Sequence, residues 1–353
     1  RFGNQALVSY QLDSCHWKKN MKILICAYQE AVTQKGKSHK IMAGRHVLTK
    51  KHVKKIKAVG KNIDVVVTAD AADAIKHASD ADIIVGFPRT IPSSAHATNL
   101  KWIHSFSAGM DRVLTPEVMR SPVLVSNSSG VLATPIAEHV ITYMLIFARG
   151  FLASLKNQEK RIWHGDDTLT ELQGKTVLVA GVGHIGGEVA RLTHAFGCKI
   201  IGVVRSPKEN YGTVDELKSP KDLEKILPRA DFIISCLPDT PETHHLFNAR
   251  KFKLMKPSAY FINIGRGGLV HEKDLIAALK KKTIAGAALD VTETEPLAAS
   301  SPLWNMPNVI ITPHHSGTSE YSIDRAIDRF CLNLKAFLTG NRLPNLVDKK
   351  LGY

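Results

Sequence analysis

Residues Thr176–Ala190 read TVLVAGVGHIGGEVA, and this stretch decides the fold. An apolar run enters the turn GVGHIG, with glycines at Gly181, Gly183 and Gly186, and leaves it in a helical pattern. A lone GxGxxG is weak, but a strand before it and a helix after it give the spacing a mechanical meaning. Gly181 permits the tight turn, Gly183 lets a pyrophosphate approach the backbone, and Gly186 lets helix and strand pack closely. The helix N-terminus then offers N–H donors and the positive end of its dipole to the phosphates. A glycine-rich turn without a ligand is the plain alternative.

The next strand, Lys199–Val204, is KIIGVV and is followed by Arg205 and Ser206. An acidic residue there would bond a ribose 2′-hydroxyl and repel a 2′-phosphate. A guanidinium fork and a hydroxyl do the reverse. The pair favours NADP(H), with NAD(H) as the second option, and Lys208 just beyond could join the phosphate site. A solvated arginine at a strand end is the dull reading of the same residue.

Short β-branched runs alternate with helical stretches along the rest of the chain. Strands are expected at Lys22–Ala27, Asp64–Thr68, Asp82–Val85, Trp102–Ser105 and Leu124–Ser126, with helices such as His52–Val59 and Asp70–His77 between them. One long helix is expected from Pro135 to about Trp163. The alternation restarts at Thr176–Val179 and runs through Lys199–Val204, Phe232–Cys236, Tyr260–Ile264, Ala285–Leu289 and Val309–Ile311, before a closing helix at Glu320–Leu338. Such alternation implies βαβ units and mostly parallel sheets, here in two α/β units.

Composition narrows the function. The 353 residues, 44% apolar and 22% charged, can bury real cores without a disulfide or metal staple. Cys15, Cys26, Cys198, Cys236 and Cys331 are scattered and form no CxxC. They argue against a secreted disulfide framework and a structural zinc site, so a cytoplasmic location and no metal ligands are expected. No uncharged apolar run is long enough to span a membrane. Residues 1–20 lack a secretory block and are expected to be an extension ahead of an ordered protein starting at Met21. The net charge of +15 invites nucleic acid or a phosphorylated ligand. The lysines (Lys50, Lys51, Lys54, Lys55, Lys280–Lys282) are dispersed without interleaved aromatics, so no nucleic-acid partner is expected.

Three segments put polar residues at strand ends. FINIGRGGLV (Phe261–Val270) carries Arg266, ALDVTETEPL (Ala288–Leu297) carries Asp290 and Glu295, and IITPHHSG (Ile310–Gly317) carries His314 and His315. In open parallel sheets that edge is where ligands bind. Each alone has an ordinary explanation: a solvated arginine, a loop glutamate, a surface histidine pair. Together they supply an anion clamp, a carboxylate and an imidazole. That set suffices for hydride chemistry on a 2-oxo acid. Arg266 can bind the carboxylate and polarise the ketone, His314 can donate the proton, and Glu295 can accept from the other imidazole nitrogen and fix the tautomer.

From Met21 to Asp348 the chain resembles the D-isomer-specific 2-hydroxyacid dehydrogenase family. The resemblance rests on GVGHIG, LPDTPETHHLF (Leu237–Phe247), NIGRGGLV, ALDVTETEPL, SPLWNMPNVIITPHHSG (Ser301–Gly317), LKWIHSFSAGMD (Leu100–Asp111) and PIAEHVITYML (Pro135–Leu145). It implies two Rossmann-like, doubly wound parallel-sheet domains, the dinucleotide domain 127–316 being inserted into a substrate domain made of 21–126 and 317–353. It implies a catalytic triad of Arg266, Glu295 and His314. Backbone amides at Ser107, Ala108 and Gly109 would hold the substrate carboxylate, with Arg266 and His314 also touching substrate. Asp290 would orient the nicotinamide carboxamide, and Pro238 and Thr243 would line the groove. The full cofactor set expected is Gly181, Gly183, His184, Ile185, Gly186, Arg205, Ser206, Pro238, Thr243, Ile264, Asp290 and Gly317.

The resemblance further implies a homodimer, packed partly through the helix near Ala137–Phe151, and a small 2-oxo acid or 2-hydroxy acid as substrate. Phe87–Arg89 and Trp304 are candidates for shaping the side-chain pocket. Three positions depart from the family pattern: His271 where Asp is common, Arg205–Ser206 in place of an acid, and His315 beside the catalytic candidate. A non-enzymatic NAD(P)-sensing, corepressor-like protein on the same fold is the rival function; the Arg–Glu–His set argues against it.

Overall fold

The computed structural model describes residues 20–27, 31–34, 37–40, 48–165, 167–206 and 212–352. The expected extension, apart from Asn20, and Lys208 lie outside the described residues. The chain divides into two compact units, Leu132–Thr318 and the remainder.

In the first unit the strands are β1 (Met21–Cys26), β2 (Ala31–Gln34), β3 (Lys37–Lys40), β4 (Ile63–Val67), β5 (Ile83–Gly86), β6 (Trp102–Ser105) and β7 (Leu124–Asn127). Five of them form a parallel sheet in the order β4-β1-β5-β6-β7. Counted along that sheet this is the 2-1-3-4-5 doubly wound order. The antiparallel pair β2–β3 forms a separate two-stranded sheet that the sequence pattern does not announce.

The second unit holds β8 (Thr176–Ala180), β9 (Lys199–Val203), β10 (Glu216–Lys218), β11 (Phe232–Ser235), β12 (Tyr260–Asn263), β13 (Gly286–Leu289) and β14 (Val309–Ile311). All seven are parallel, in the order β10-β9-β8-β11-β12-β13-β14. The order reverses between β8 and β11, which places a crevice at their C-terminal ends. Alternate residues of these strands feed opposite cores: Leu178, Ile201, Ile233 and Phe261 on one face, Val177, Val179, Ile200, Ile234 and Ile262 on the other. Helices cover both faces, so the strands read as continuous apolar runs rather than as alternation.

The expected long helix is two helices, Ala133–Ala148 and Phe151–Glu159, bent by 69°. Gly150 between them is left-handed (φ 63°), a conformation glycine adopts without the Cβ penalty. Among the described residues no single helix is long and apolar enough to cross a membrane. The units meet in sequence at Val131/Leu132, not at the expected 126/127. Asn127 and Ser128 go with the first unit because the Asn127 amide donates to the Ala108 carbonyl at 2.9 Å and the Ser128 hydroxyl to that of Ser105 at 3.0 Å. The second crossing falls at Thr318/Ser319 rather than 316/317: the Ser316 hydroxyl and N–H are bound to Asp290 of the second unit.

Candidate active site

The GVGHIG turn leaves β8 at Gly181, whose φ of 96° only glycine takes easily. A Cβ on Gly181 would press the Cys236 carbonyl oxygen at 3.0 Å, so β8 and β11 end side by side. Gly183 caps the helix His184–Ala195, and a Cβ there would meet nothing within 4 Å. Open space at a helix N-terminus fits a pyrophosphate. Ile185 is half-buried under the turn. Arg205 and Ser206 lie exposed just after β9, at the same edge.

The loop after β11 is braced internally. Thr243 donates its hydroxyl to the Pro238 carbonyl at 2.6 Å and accepts the Thr240 N–H at 2.8 Å. Ile264, buried, follows β12 and bonds the Ser235 carbonyl through its N–H. Arg266 comes two residues later. Asn263 holds the Arg266 carbonyl through its side-chain amide at 2.8 Å, while Arg266 Nη1 donates to the Gly265 carbonyl at 2.8 Å.

Glu295 and His314 come from the segments after β13 and β14. His314 Nδ1 stands 2.9 Å from Oε2 and 3.1 Å from Oε1 of Glu295. That commits Nδ1 to the carboxylate and leaves Nε2 to exchange a proton with a ligand. Burial would raise the Glu295 carboxyl; the hydrogen bond and charge of His314, a backbone bond at Thr292 and the Arg266 charge outweigh it and hold the group below its ordinary value. His314 is left-handed (φ 51°), a conformation uncommon outside glycine that histidine, asparagine and aspartate adopt more readily than other residues. Its N–H bonds the carbonyls of Asp290 and Thr312 at 2.8 and 3.0 Å.

Asp290 anchors this loop. It is 2% exposed, and its carboxylate accepts the Thr312 hydroxyl at 2.6 Å, the His315 N–H at 3.0 Å, and the N–H and hydroxyl of Ser316. Sequence reasoning assigned Asp290 to the cofactor and missed this bracing. It also missed the next links: Tyr143 hydroxyl to Thr312 hydroxyl at 2.5 Å and His139 Nε2 to Tyr143 at 2.9 Å. The i,i+4 spacing of His139 and Tyr143 was the available signal.

His139, Asp290 and His315 bring ligand-type atoms within 4.8 Å of one another, but the Thr312 hydroxyl already bridges Asp290 and His139 at 2.6 and 3.2 Å. The His315 ring stands edge-on to His139 at 5.5 Å. Gly317 packs against Leu132, where a Cβ would meet Cδ1 at 3.0 Å. His271 Nδ1 lies 2.9 Å from Asp274. Trp304 is bonded through its indole to the Ala298 carbonyl, and Phe87 stacks edge-on against Phe106 in the other unit. Ser107, Ala108 and Gly109 follow β6 in the first unit. Burial pushes the Cys26 and Cys236 thiols up to about 12, so neither is a nucleophile.

The structure thus brings the dinucleotide turn, Arg266, Glu295 and His314 to the C-terminal edge of one parallel sheet, the arrangement of a nicotinamide-linked oxidoreductase. The chain belongs to the D-isomer-specific 2-hydroxyacid dehydrogenase family: residues 141–316 match the model described as "D-isomer specific 2-hydroxyacid dehydrogenase, NAD binding domain". It is similar to a glyoxylate reductase of Thermofilum pendens, 34% identical over 260 residues, 72% of this chain and 77% of that one. A crystal structure of a family member from Aeromonas salmonicida subsp. salmonicida superposes with a TM-score of 0.79 at 32% identity, covering 94% of this chain and 100% of that one. An NADPH-dependent glyoxylate/hydroxypyruvate reductase from Sinorhizobium meliloti, solved with NADP and sulfate, gives 0.76 at 29% identity, with 94% and 100% covered. The chain is an oxidoreductase that interconverts 2-oxo and 2-hydroxy acids with a nicotinamide dinucleotide.

Proposed function

We propose that the protein is an NADP(H)-preferring reductase of small 2-oxo acids of the glyoxylate and hydroxypyruvate class, yielding the D-2-hydroxy acid. The observation that carries this reading is the Glu295–His314 pair at the sheet edge that also carries Arg266 and GVGHIG. The names of the glyoxylate reductase relatives support the substrate class.

A bound nicotinamide dinucleotide supplies the hydride. Gly181, Gly183, His184 and Ile185 would receive its pyrophosphate at the helix that Gly186 seats against the turn, and Arg205 with Ser206 would hold its 2′-phosphate. Pro238, Thr243, Ile264, Asp290 and Gly317 complete the groove. Arg266 binds the substrate carboxylate and polarises the ketone. His314 delivers the proton that converts the developing alkoxide to hydroxyl, and Glu295 holds the imidazolium that is present before transfer. Ala108 and Gly109 hold the carboxylate through backbone amides, while the expected Ser107 amide is already bonded to the Ser105 hydroxyl at 3.1 Å.

A homodimer in the cytoplasm completes the reading. Phe151, Leu155, Ile162 and Trp163 leave large apolar surface exposed on and after the second half of the bent helix pair, which suits a second copy of the chain. Steady-state oxidation of NADPH and NADH across a panel of 2-oxo acids is the test. Turnover of glyoxylate or hydroxypyruvate with NADPH preferred is expected. Tight NADP(H) binding with no turnover of any acid would instead support the sensor.

A further inference from the structure

In the first unit a buried chain of hydrogen bonds passes through His104. The Trp102 indole N–H donates to the Ser126 hydroxyl at 2.8 Å and cannot accept. That leaves the Ser126 hydroxyl proton available to His104 Nδ1, 2.6 Å away. With Nδ1 accepting, the neutral ring carries its proton on Nε2, which donates to the Ser128 hydroxyl at 3.2 Å. Ser128 passes its hydroxyl proton to the Ser105 carbonyl at 3.0 Å and its N–H to the Ser107 carbonyl at 3.2 Å. The Ser105 hydroxyl in turn accepts the Ser107 N–H at 3.1 Å.

His104, Ser105, Ser126 and Ser128 are each 0% exposed. The ring packs against Phe330, 5.2 Å between centroids, with Trp102 at 5.8 Å. An apolar side chain would fill this space without any partner. What the polar chain adds is a fixed backbone at its far end.

We propose that His104 is a positioning residue for substrate recognition: through Ser128 it fixes the backbone at Ser105–Ser107 and so aims the amides of Ala108 and Gly109. The inference rests on the reading that those amides hold the substrate carboxylate. Amides preset in this way recognise an anion without reorganising when it arrives.

Ser128→Ala removes the link that touches the loop; Thr68→Val removes a buried hydroxyl bond outside the chain, to the Ile25 carbonyl at 3.2 Å. Expected for S128A is a rise of about five- to tenfold in KM for the 2-oxo acid, with kcat and the NADPH Kd within about twofold. T68V should lower Tm about as much while leaving KM within about twofold. His104→Phe should raise KM as S128A does, and His104→Gln, whose amide nitrogen can replace Nε2, should restore it. Equal KM changes in T68V and S128A, or none in S128A, would overturn the inference. If H104F does not fold, S128A against T68V decides. Gly109→Val separates the two layers: a KM unmoved by it overturns the carboxylate reading and the inference with it. A KM moved by G109V but not by S128A overturns the inference alone.

Discussion

Gly186 lies so close beneath Gly181 that a Cβ on it would stand 1.9 Å from the Gly181 carbonyl oxygen. The next residue, Gly187, has nothing within 4 Å of the same position. Two adjacent helical glycines thus predict opposite outcomes. Gly186→Ala must push the helix off the turn, so it should weaken NADPH binding at least about tenfold and lower Tm. Gly187→Ala should leave binding unchanged and stabilise the helix by up to about 1 kcal/mol. Thermal denaturation and cofactor titration of the two variants check this; a harmless G186A would remove the close-packing role of the third motif glycine.

The triad prediction turns on charge. Glu295 is held below its ordinary carboxylate value, so its pairing with His314 is complete above about pH 4.5 and is lost only as the pH falls through the lower folded value. From about pH 5 to about pH 8 the pair therefore stays intact on the carboxylate side. Glu295→Gln should lower kcat by roughly 10²-fold near pH 7, and His314→Ala by about 10²–10⁴-fold. NADPH affinity should survive both. A His314→Ala enzyme at near-wild-type rate would take His314 out of its role.

Where sequence order and spatial order coincide, the molecule was legible. The GVGHIG turn is local, so strand, turn and helix could be read from fifteen consecutive residues. Arg266, Glu295 and His314 were legible because each closely follows an apolar strand, and parallel pairing carries all such strand ends to one edge. The break at Gly150 was not, since apolar residues continue through Phe151 and Leu152 and hide the change of direction. β10, three residues reading ELK at the sheet edge, has no apolar pattern to betray it. The hydrogen-bond chains were invisible for a different reason. Thr312 meets Tyr143 across 169 positions, and His104 faces Ser126 only through the register of β6 on β7.

Arg205 carries the cofactor prediction. A guanidinium beside a 2′-phosphate makes a charge-assisted, often bidentate contact that NADH cannot return. Arg205→Asp should therefore reduce the NADPH-over-NADH ratio of kcat/KM by at least about tenfold, with most of the change in the NADPH KM. Initial rates with both cofactors on one 2-oxo acid measure it. An unchanged ratio would place the selectivity elsewhere.

His104 also sets how the first unit answers acid. Burial, reinforced by the nearby Arg329 charge, pushes its ring down from 6.5 to about 3. The unfolded chain then binds a proton in a range where the folded chain does not, so stability is fully present above about pH 6.5 and declines as pH falls. Over the interval down to about pH 3 this one ring contributes a slope of up to about 1.4 kcal/mol per pH unit. His104→Gln has no such proton to bind. Urea unfolding at several pH values should show the wild type losing stability more steeply than H104Q below pH 6.5, although the variant starts lower at neutral pH. Parallel slopes for the two proteins would mean that the buried ring is charged in the fold, and Ser126 would then have to turn its hydroxyl proton away from Nδ1.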